Sequence, residues 1–345
     1  MSETPTSNTP AMMYSTAQLR IHRFAGLAPG PRLIVLGAVH GNEVCGARGI
    51  ERVVAELDGG ALMLSRGMVT LVPVTNPLAY QKGQRNGERN LNRNLSPTDT
   101  PQDYEDRIAN VLCPLLAQHD VLLDLHSFQA QSEPFAMIGP PDNQGALEPF
   151  THARQEQALA LRLGPRRIVE GWLSTYAVGV QQRLARTPSH DRAGLLSTDP
   201  GYGVGTTEYM RSQGGYAITL ECGQHADPAA PEVAYQAIRN TLAHLGLVDG
   251  PTPDPRTELE FLRLAQVVDR YHPQDSFARA WASFDAVCAG DRVATRHDGT
   301  PVLAVQDGYI VFPNTNATPG NEWFYLAQRS RRDLTDGVSP TLLLP

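Results

Sequence analysis

The stretch Arg32–Glu43, RLIVLGAVHGNE, decides the fold. Its part Arg32–Val39 is a short apolar run rich in branched residues, which suits a strand buried on both faces. The run stops at His40-Gly41-Asn42-Glu43. That places two polar, metal-competent side chains at a strand's end, where open α/β sheets put their ligand crevices.

Outward from this stretch, strands and helices alternate. Val44–Leu57 has helical spacing, and Met68–Val74 (MVTLVPV) reads as a second strand, followed by a polar loop through Ser96 crowded with Asn, Arg and Gly. Thr100-Pro101 supplies a capping hydroxyl and a first-turn proline, with Asp103, Glu105 and Asp106 early in a helix reaching about Gln118. The strand Asp120–Leu125 follows, and later come the strand Tyr216–Leu220 and a helix near Pro231–Leu245. This alternation predicts an α/β domain with a mixed sheet covered on both faces. Between these elements, Thr187–Thr207 is rich in Gly, Ser, Thr and Pro and reads as a long loop, a candidate lid.

The break Val248–Pro255 (VDGPTPDP) separates this unit from short strand patterns at Leu259–Val268, Asp291–Ala294, Val302–Val305 and Tyr309–Phe312. The expected division is a disordered tail over residues 1–20, a catalytic domain over 21–250 and a smaller β-rich C-terminal domain over 256–345.

A net charge of −7 over 345 residues argues against broad attraction to nucleic acid or an anionic membrane. No stretch approaches the roughly 20 apolar residues of a membrane helix, and the polar start MSETPTSNTP lacks the pattern of an export signal. Cys45, Cys113, Cys222 and Cys288 form no CxxC pair and read as reduced thiols. The expectation is a soluble, cytoplasmic protein acting on small molecules, with no nucleic-acid or membrane partner. A homo-oligomer is left open.

A catalytic zinc takes three ligands from His, Glu or Asp and keeps one position open. His40-x-x-Glu43 offers two, and His126 in Asp124–Phe128 (DLHSF), at another strand's end, offers a third. Asp124 shares a strand face with His126 and could orient it or cap a neighbouring backbone group. Taken singly, such histidines read equally as hydrogen-bonded structural residues. Cys45 and Cys222 have apolar or acidic neighbours and read as packing residues.

Four motifs in order change that weighting: Gly37–Gly46 (GAVHGNEVCG), Asn76–Leu95 (NPLAYQKGQRNGERNLNRNL), DLHSF, and Ile218–Gly223 (ITLECG). Together they resemble the succinylglutamate desuccinylase and aspartoacylase family, a branch of the zinc carboxypeptidase-like hydrolases. The resemblance runs from about Arg32 to Gly223, and the β-rich C-terminal unit suits that family's two-domain plan. It implies a zinc carboxypeptidase-like mixed sheet flanked by helices, with one Zn²⁺ per chain on His40, Glu43 and His126. It further implies Arg85 as the oxyanion donor, Asn92 and Arg93 as the residues that hold a substrate carboxylate, and Glu221 as the base that also protonates the leaving nitrogen. Arg211 matches an arginine that binds a carboxylate with less specificity of motif. Arg89 departs from the family's more usual acidic residue, which bears on substrate charge. His225 reads as a fourth ligand, a proton shuttle or a supporting residue.

The resemblance therefore implies hydrolysis of an amide in a small carboxylated N-acyl substrate. A carboxypeptidase acting on short peptides would use the same groups. A non-catalytic zinc-dependent carboxylate binder would need neither Glu221 nor Arg85.

Overall fold

The computed structural model describes residues 14–185 and 198–333. Strand β2 (Ala28–Gly37) contains the apolar run, and Leu33, Ile34, Val35 and Leu36 are all fully buried. The alternation of a strand sends Leu33 and Val35 to one face and Ile34 and Leu36 to the other. Leu33 and Val35 pack with Ile50 and Val53 of α1 (Cys45–Asp58) and with Ala234 and Ile238 of α7 (Ala230–His244). Ile34 and Leu36 pack with Ile108, Leu112 and Leu116 of α3 (Tyr104–Leu116). Two helical layers thus explain why the strand is apolar without alternation.

On one side β2 pairs in parallel with β3 (Arg66–Val72), whose outer neighbour is antiparallel β1 (His22–Ala25). On the other it pairs in parallel with β4 (Val121–Phe128), which pairs in parallel with β7 (Tyr216–Gln224). Beyond β7 come β5 (Phe135–Met137), β6 (Arg167–Glu170), β8 (Glu260–Asp269), β14 (Glu322–Arg329), β13 (Gly308–Val311) and β10 (Ala286–Val287), completing an 11-stranded mixed sheet. Strands β9 (Ser276–Phe277), β11 (Arg292–Thr295) and β12 (Pro301–Leu303) form a small antiparallel sheet.

The C-terminal β region therefore continues the large sheet through the β6–β8 pairing. Two helices outside the sequence expectation carry cavity residues: α5 (Trp172–Leu184) and the short α6 (Thr206–Ser212). A third, α2 (Pro77–Lys82), begins the polar loop, capped by the Asn76 side chain, and α4 (Ala153–Ala160) precedes β6.

Residues 14–20, assigned above to a disordered tail, are instead held in place. Tyr14 donates to Glu51, and the Tyr104 hydroxyl donates to the Thr16 carbonyl. Residues 1–13 lie outside the described residues, as does most of the expected lid: of Thr187–Thr207, only 198–207 are described, holding a 3₁₀ turn at Pro200–Gly203 and the start of α6. No helix among the described residues is long and apolar enough to cross a membrane.

The C-terminal strands are tied to α5 by a buried ion pair. Arg183 donates from Nε and NH2 to both oxygens of Asp269, at 2.9 and 2.8 Å. Removing one partner of such a pair strands the other charge in the interior, at a cost of about 3–5 kcal/mol. Asp269→Ala should lower unfolding stability by that order in a urea titration, and a change below about 1 kcal/mol would show that the pair does not anchor α5.

Candidate active site

His40 and Glu43 stand just past the C-terminal end of β2. The chain leaves the strand through Ala38, whose φ of 45° is unusual for a residue with a side chain. Gly41 then lies against α2 so closely that a Cβ would collide with the backbone of Ala79 and Tyr80. His126 lies on β4, in register with Glu221 on β7, so both side chains leave the sheet on one face.

His40, Glu43 and His126 are all buried, and their ligand atoms lie within 4.8 Å of one another. His126 Nδ1 is 2.8 Å from Glu43 Oε2, and His40 Nδ1 is 3.0 Å from Glu43 Oε1. The second contact is not a hydrogen bond: His40 Nδ1 is a buried atom without a hydrogen-bond partner. The reason lies at the other ring nitrogen. His40 Nε2 is 3.0 Å from Asn90 Oδ1, and that oxygen also accepts from the Asn92 backbone N–H. An amide oxygen only accepts, so Nε2 carries the proton and the neutral ring points the Nδ1 lone pair at a carboxylate. Burial pushes His40 down to about 4, which keeps it neutral. Burial alone would raise Glu43, but the imidazoles beside it hold its carboxyl well below the usual range. A lone pair facing an ionised carboxylate in a dry pocket is unfavourable unless a cation lies between them. The donor set of two imidazoles and one glutamate therefore fits a metal ion of the zinc type.

His126 has an acid standing behind it. Its Nε2 lies 2.9 Å from Asp124 Oδ2, and Asp124 accepts a short hydrogen bond from the Thr206 hydroxyl. Burial opposes a charge on His126, but Asp124 and Glu43 raise it well above its ordinary value. Asp124 thus has the position of an orienting partner for a ligand.

The polar loop surrounds this centre. Arg85, half-exposed, donates from NH1 to Glu43 Oε1 at 2.7 Å. Asn92 Oδ1 accepts from the Thr206 N–H at 2.8 Å, capping α6 and linking the loop to Asp124. The buried Arg93 guanidinium stacks over Trp172, 4.6 Å from the ring centre, and its NH2 lies 3.7 Å from Glu322. Arg89 lines the cavity with its guanidinium engaged inside the loop. It donates to Asp103, Asp106 and the carbonyls of Asn90 and Arg93, holding the loop in shape.

Glu221 is buried on the cavity wall, and its Oε2 has no hydrogen-bond partner. Burial pushes its carboxyl up to about 8, with His126 opposing and Glu43 reinforcing the shift. Ser127 Oγ lies 2.8 Å from His225 Nδ1, which makes His225 a neighbour of the centre, 3.5 Å from Asn42. Arg211 also reaches the wall, but its nitrogens are engaged within the chain: Nε with Glu156, NH1 with Glu148 and NH2 with the Ala217 carbonyl.

His40, Glu43, Arg85, Asn92, Arg93, His126, Arg211, Glu221 and His225 line one cavity of about 1050 Å³, and Asp124 and Thr206 stand behind it. The succinylglutamate desuccinylase/aspartoacylase catalytic domain model matches residues 29–245. The chain belongs to this family. Solved structures agree on the fold. A succinylglutamate desuccinylase/aspartoacylase from Rhodobacter sphaeroides is 19% identical with a TM-score of 0.65, covering 90% of this chain and 89% of its own. The succinylglutamate desuccinylase of Vibrio cholerae is 18% identical with a TM-score of 0.66, covering 90% and 85%. The product-bound ectoine utilization protein EutE (DoeB) of Ruegeria pomeroyi is 19% identical with a TM-score of 0.65, covering 89% and 88%. No curated protein matches the sequence.

The family match ends at residue 245, yet the cavity does not. Glu322 and Tyr325 of β14 and Trp172 and Tyr176 of α5 complete its wall. Sequence reasoning missed all four. The aromatic run Glu322–Tyr325 (EWFY) after a Gly-Asn turn was the available signal for β14.

Because Gly41 has no room for a Cβ, Gly41→Ala must displace either the His40–Glu43 turn or α2. The expected outcome is an overexpressed protein that binds zinc at least ~10-fold more weakly by competition with a chromogenic chelator. Wild-type zinc affinity in this variant would show that the close approach to α2 does not set the ligand geometry.

Proposed function

We propose that this family member is a zinc-dependent amidohydrolase that removes the acyl group from an N-acylated amino acid or similar small carboxylated amide. The observation that carries this reading is the pairing of a three-ligand centre with an unpartnered, buried Glu221 oxygen on the adjacent strand. His40 Nδ1, His126 Nδ1 and the Glu43 carboxylate would hold the ion, one per chain. When bound, zinc supplies Lewis-acid polarisation of the acyl carbonyl and acidifies water from about 15.7 towards about 7.

Glu221 Oε2, with no competing donor inside the chain, accepts a proton from the attacking water. The raised proton affinity of this buried group then suits it to pass the same proton to the departing nitrogen. Arg85, half-exposed and hydrogen-bonded to Glu43 through one terminal nitrogen, offers another N–H to the oxygen on which negative charge develops. Arg93, which makes a single hydrogen bond within the chain through its guanidinium, offers its remaining donors to the substrate carboxylate. Asn92 keeps Arg93 and α6 in place, and Arg211 braces the wall on the far side of α6. Water and amide are consumed, and a carboxylic acid and a free amine leave.

Glu221→Gln separates chemistry from binding, because it removes the proton acceptor while preserving shape. The variant should retain about one zinc per chain and lose at least ~10³-fold in kcat on an N-acyl amino acid. Unimpaired turnover would refute the role of Glu221, and hydrolysis of peptides but of no N-acyl amino acid would replace the deacylase reading with a carboxypeptidase.

A further inference from the structure

The cavity has a charge pattern of its own. Arg211 is one guanidinium among three carboxylates: Glu156 at 2.8 Å, Glu148 at 2.9 Å and Glu208 at 3.5 Å. Glu156 is fully buried behind the wall and has both oxygens satisfied, one by the Gly139 N–H and the other by Arg211 and the Ala217 N–H. Glu208 likewise accepts from the Gly205 N–H and the Thr207 hydroxyl. Glu148 uses only one oxygen, on Arg211. Both Glu148 and Glu208 line the cavity, so this wall presents surplus negative charge with its one guanidinium already spent. Burial pushes Glu148 up to about 7, with Arg211 opposing and Glu208 and Glu156 reinforcing the shift.

The other arginines of the cavity are also partly neutralised. Arg89 faces Asp103 and Asp106, Arg183 faces Asp269, and the half-exposed Arg263 stands 3.8 Å from Glu170. Arg93 differs. Its nearest carboxylate, Glu322, stands 3.7 Å away, and the buried Tyr325 hydroxyl of the same wall has no hydrogen-bond partner. Donors that can receive an anion are thus present at Arg93 and Tyr325, and at the half-exposed Arg263, away from the reacting carbonyl's Arg85, while those of Arg211 are engaged within the chain.

We propose that the cavity takes a substrate with a single carboxylate, and that Glu148 and Glu208 exclude a second one. A further anionic group placed against this wall would meet Glu148 and Glu208 in a confined site whose guanidinium is already engaged. The substrate class is then an N-acyl amino acid in which either acyl group or side chain adds no second carboxylate, such as an N-acetyl amino acid with an uncharged side chain. This inference rests on the deacylase reading for its chemistry but not for its charge selectivity.

Zinc-loaded protein would be assayed on N-acetyl-leucine, N-acetyl-aspartate and N-succinyl-leucine. In parallel, binding of the three to Glu221→Gln would be measured by calorimetry, which reads selectivity whether or not the wild type turns them over. The single-carboxylate compound should be favoured by roughly tenfold or more in kcat/KM and in Kd. Glu148→Gln and Glu148→Gln/Glu208→Gln should narrow that ratio stepwise by releasing Arg211, and Arg211→Gln should leave the preference in place. Equal or tighter binding of either dicarboxylate would overturn the proposal, as would an Arg211→Gln loss confined to dicarboxylates. Absence of turnover with the binding preference intact would sink only the deacylase reading.

Discussion

The rest of the structure depends on one buried carboxylate. Glu43 stays ionised in a buried site because the His126 ring and the Arg85 guanidinium both hydrogen-bond to it. An unpaired charge there would cost several kcal/mol, so those partners must be delivered with precision from distant parts of the chain. Parallel pairing of β2 with β4 brings His126 to the turn that follows β2, and pairing of β4 with β7 brings Glu221 beside it. The apolar runs in these strands place the polar groups at a common edge, while the two helical layers exclude water beneath them.

The loop between α2 and α3 is held by acid groups as well as by the packing of Leu91 and Leu95 into the core. Glu105, fully buried, accepts from the backbone N–H groups of Gly87, Glu88 and Arg89 and from the Asn76 side chain. Asp103 and Asp106 hold Arg89. From sequence, these acidic residues were assigned to the helix dipole, and Thr100 to the cap. Asp103 is the actual N-cap, accepting from the Asp106 N–H, and the other two face the loop. The Arg89 departure therefore marks an internal anchor, a meaning that spacing along the chain does not carry, because its partners lie on a helix beyond the loop.

What was legible followed from burial on two faces. Strands β2, β4 and β7 announce themselves because a strand covered by helices on both sides must be apolar throughout, and His40, Glu43, His126 and Glu221 stand out as polar residues ending those runs. Strands β5 and β6 were not legible: they are three and four residues long, and β6 includes Arg167 and Glu170, whose charges are paired across the fold with Glu260 and Arg332. Glu322 and Tyr325 were illegible for another reason. They reach the cavity only because β8 joins β6 and then pairs with β14, a long-range arrangement that no local pattern encodes.

The same arrangement makes metal centre and substrate wall one mechanical unit. Asn92 caps α6 through Thr206, Thr206 holds Asp124, and Asp124 stands against His126. Gly205 has to be glycine because any Cβ would collide with the Asn92 oxygen. On the other side, Arg93 stacks on Trp172 of α5, and α5 is fastened to β8 by Arg183 and Asp269. A shift of the Asn92–Arg93 loop thus pulls on Asp124, which stands against His126, and on the C-terminal strands together. Apart from the Arg93–Trp172 stack, each link is a polar contact in a buried setting, where leaving one member unpaired costs more than the pair itself contributes. Substrate-side and metal-side geometry are therefore fixed jointly, which is the condition for aligning a water, a base and a carbonyl within hydrogen-bonding reach of one another.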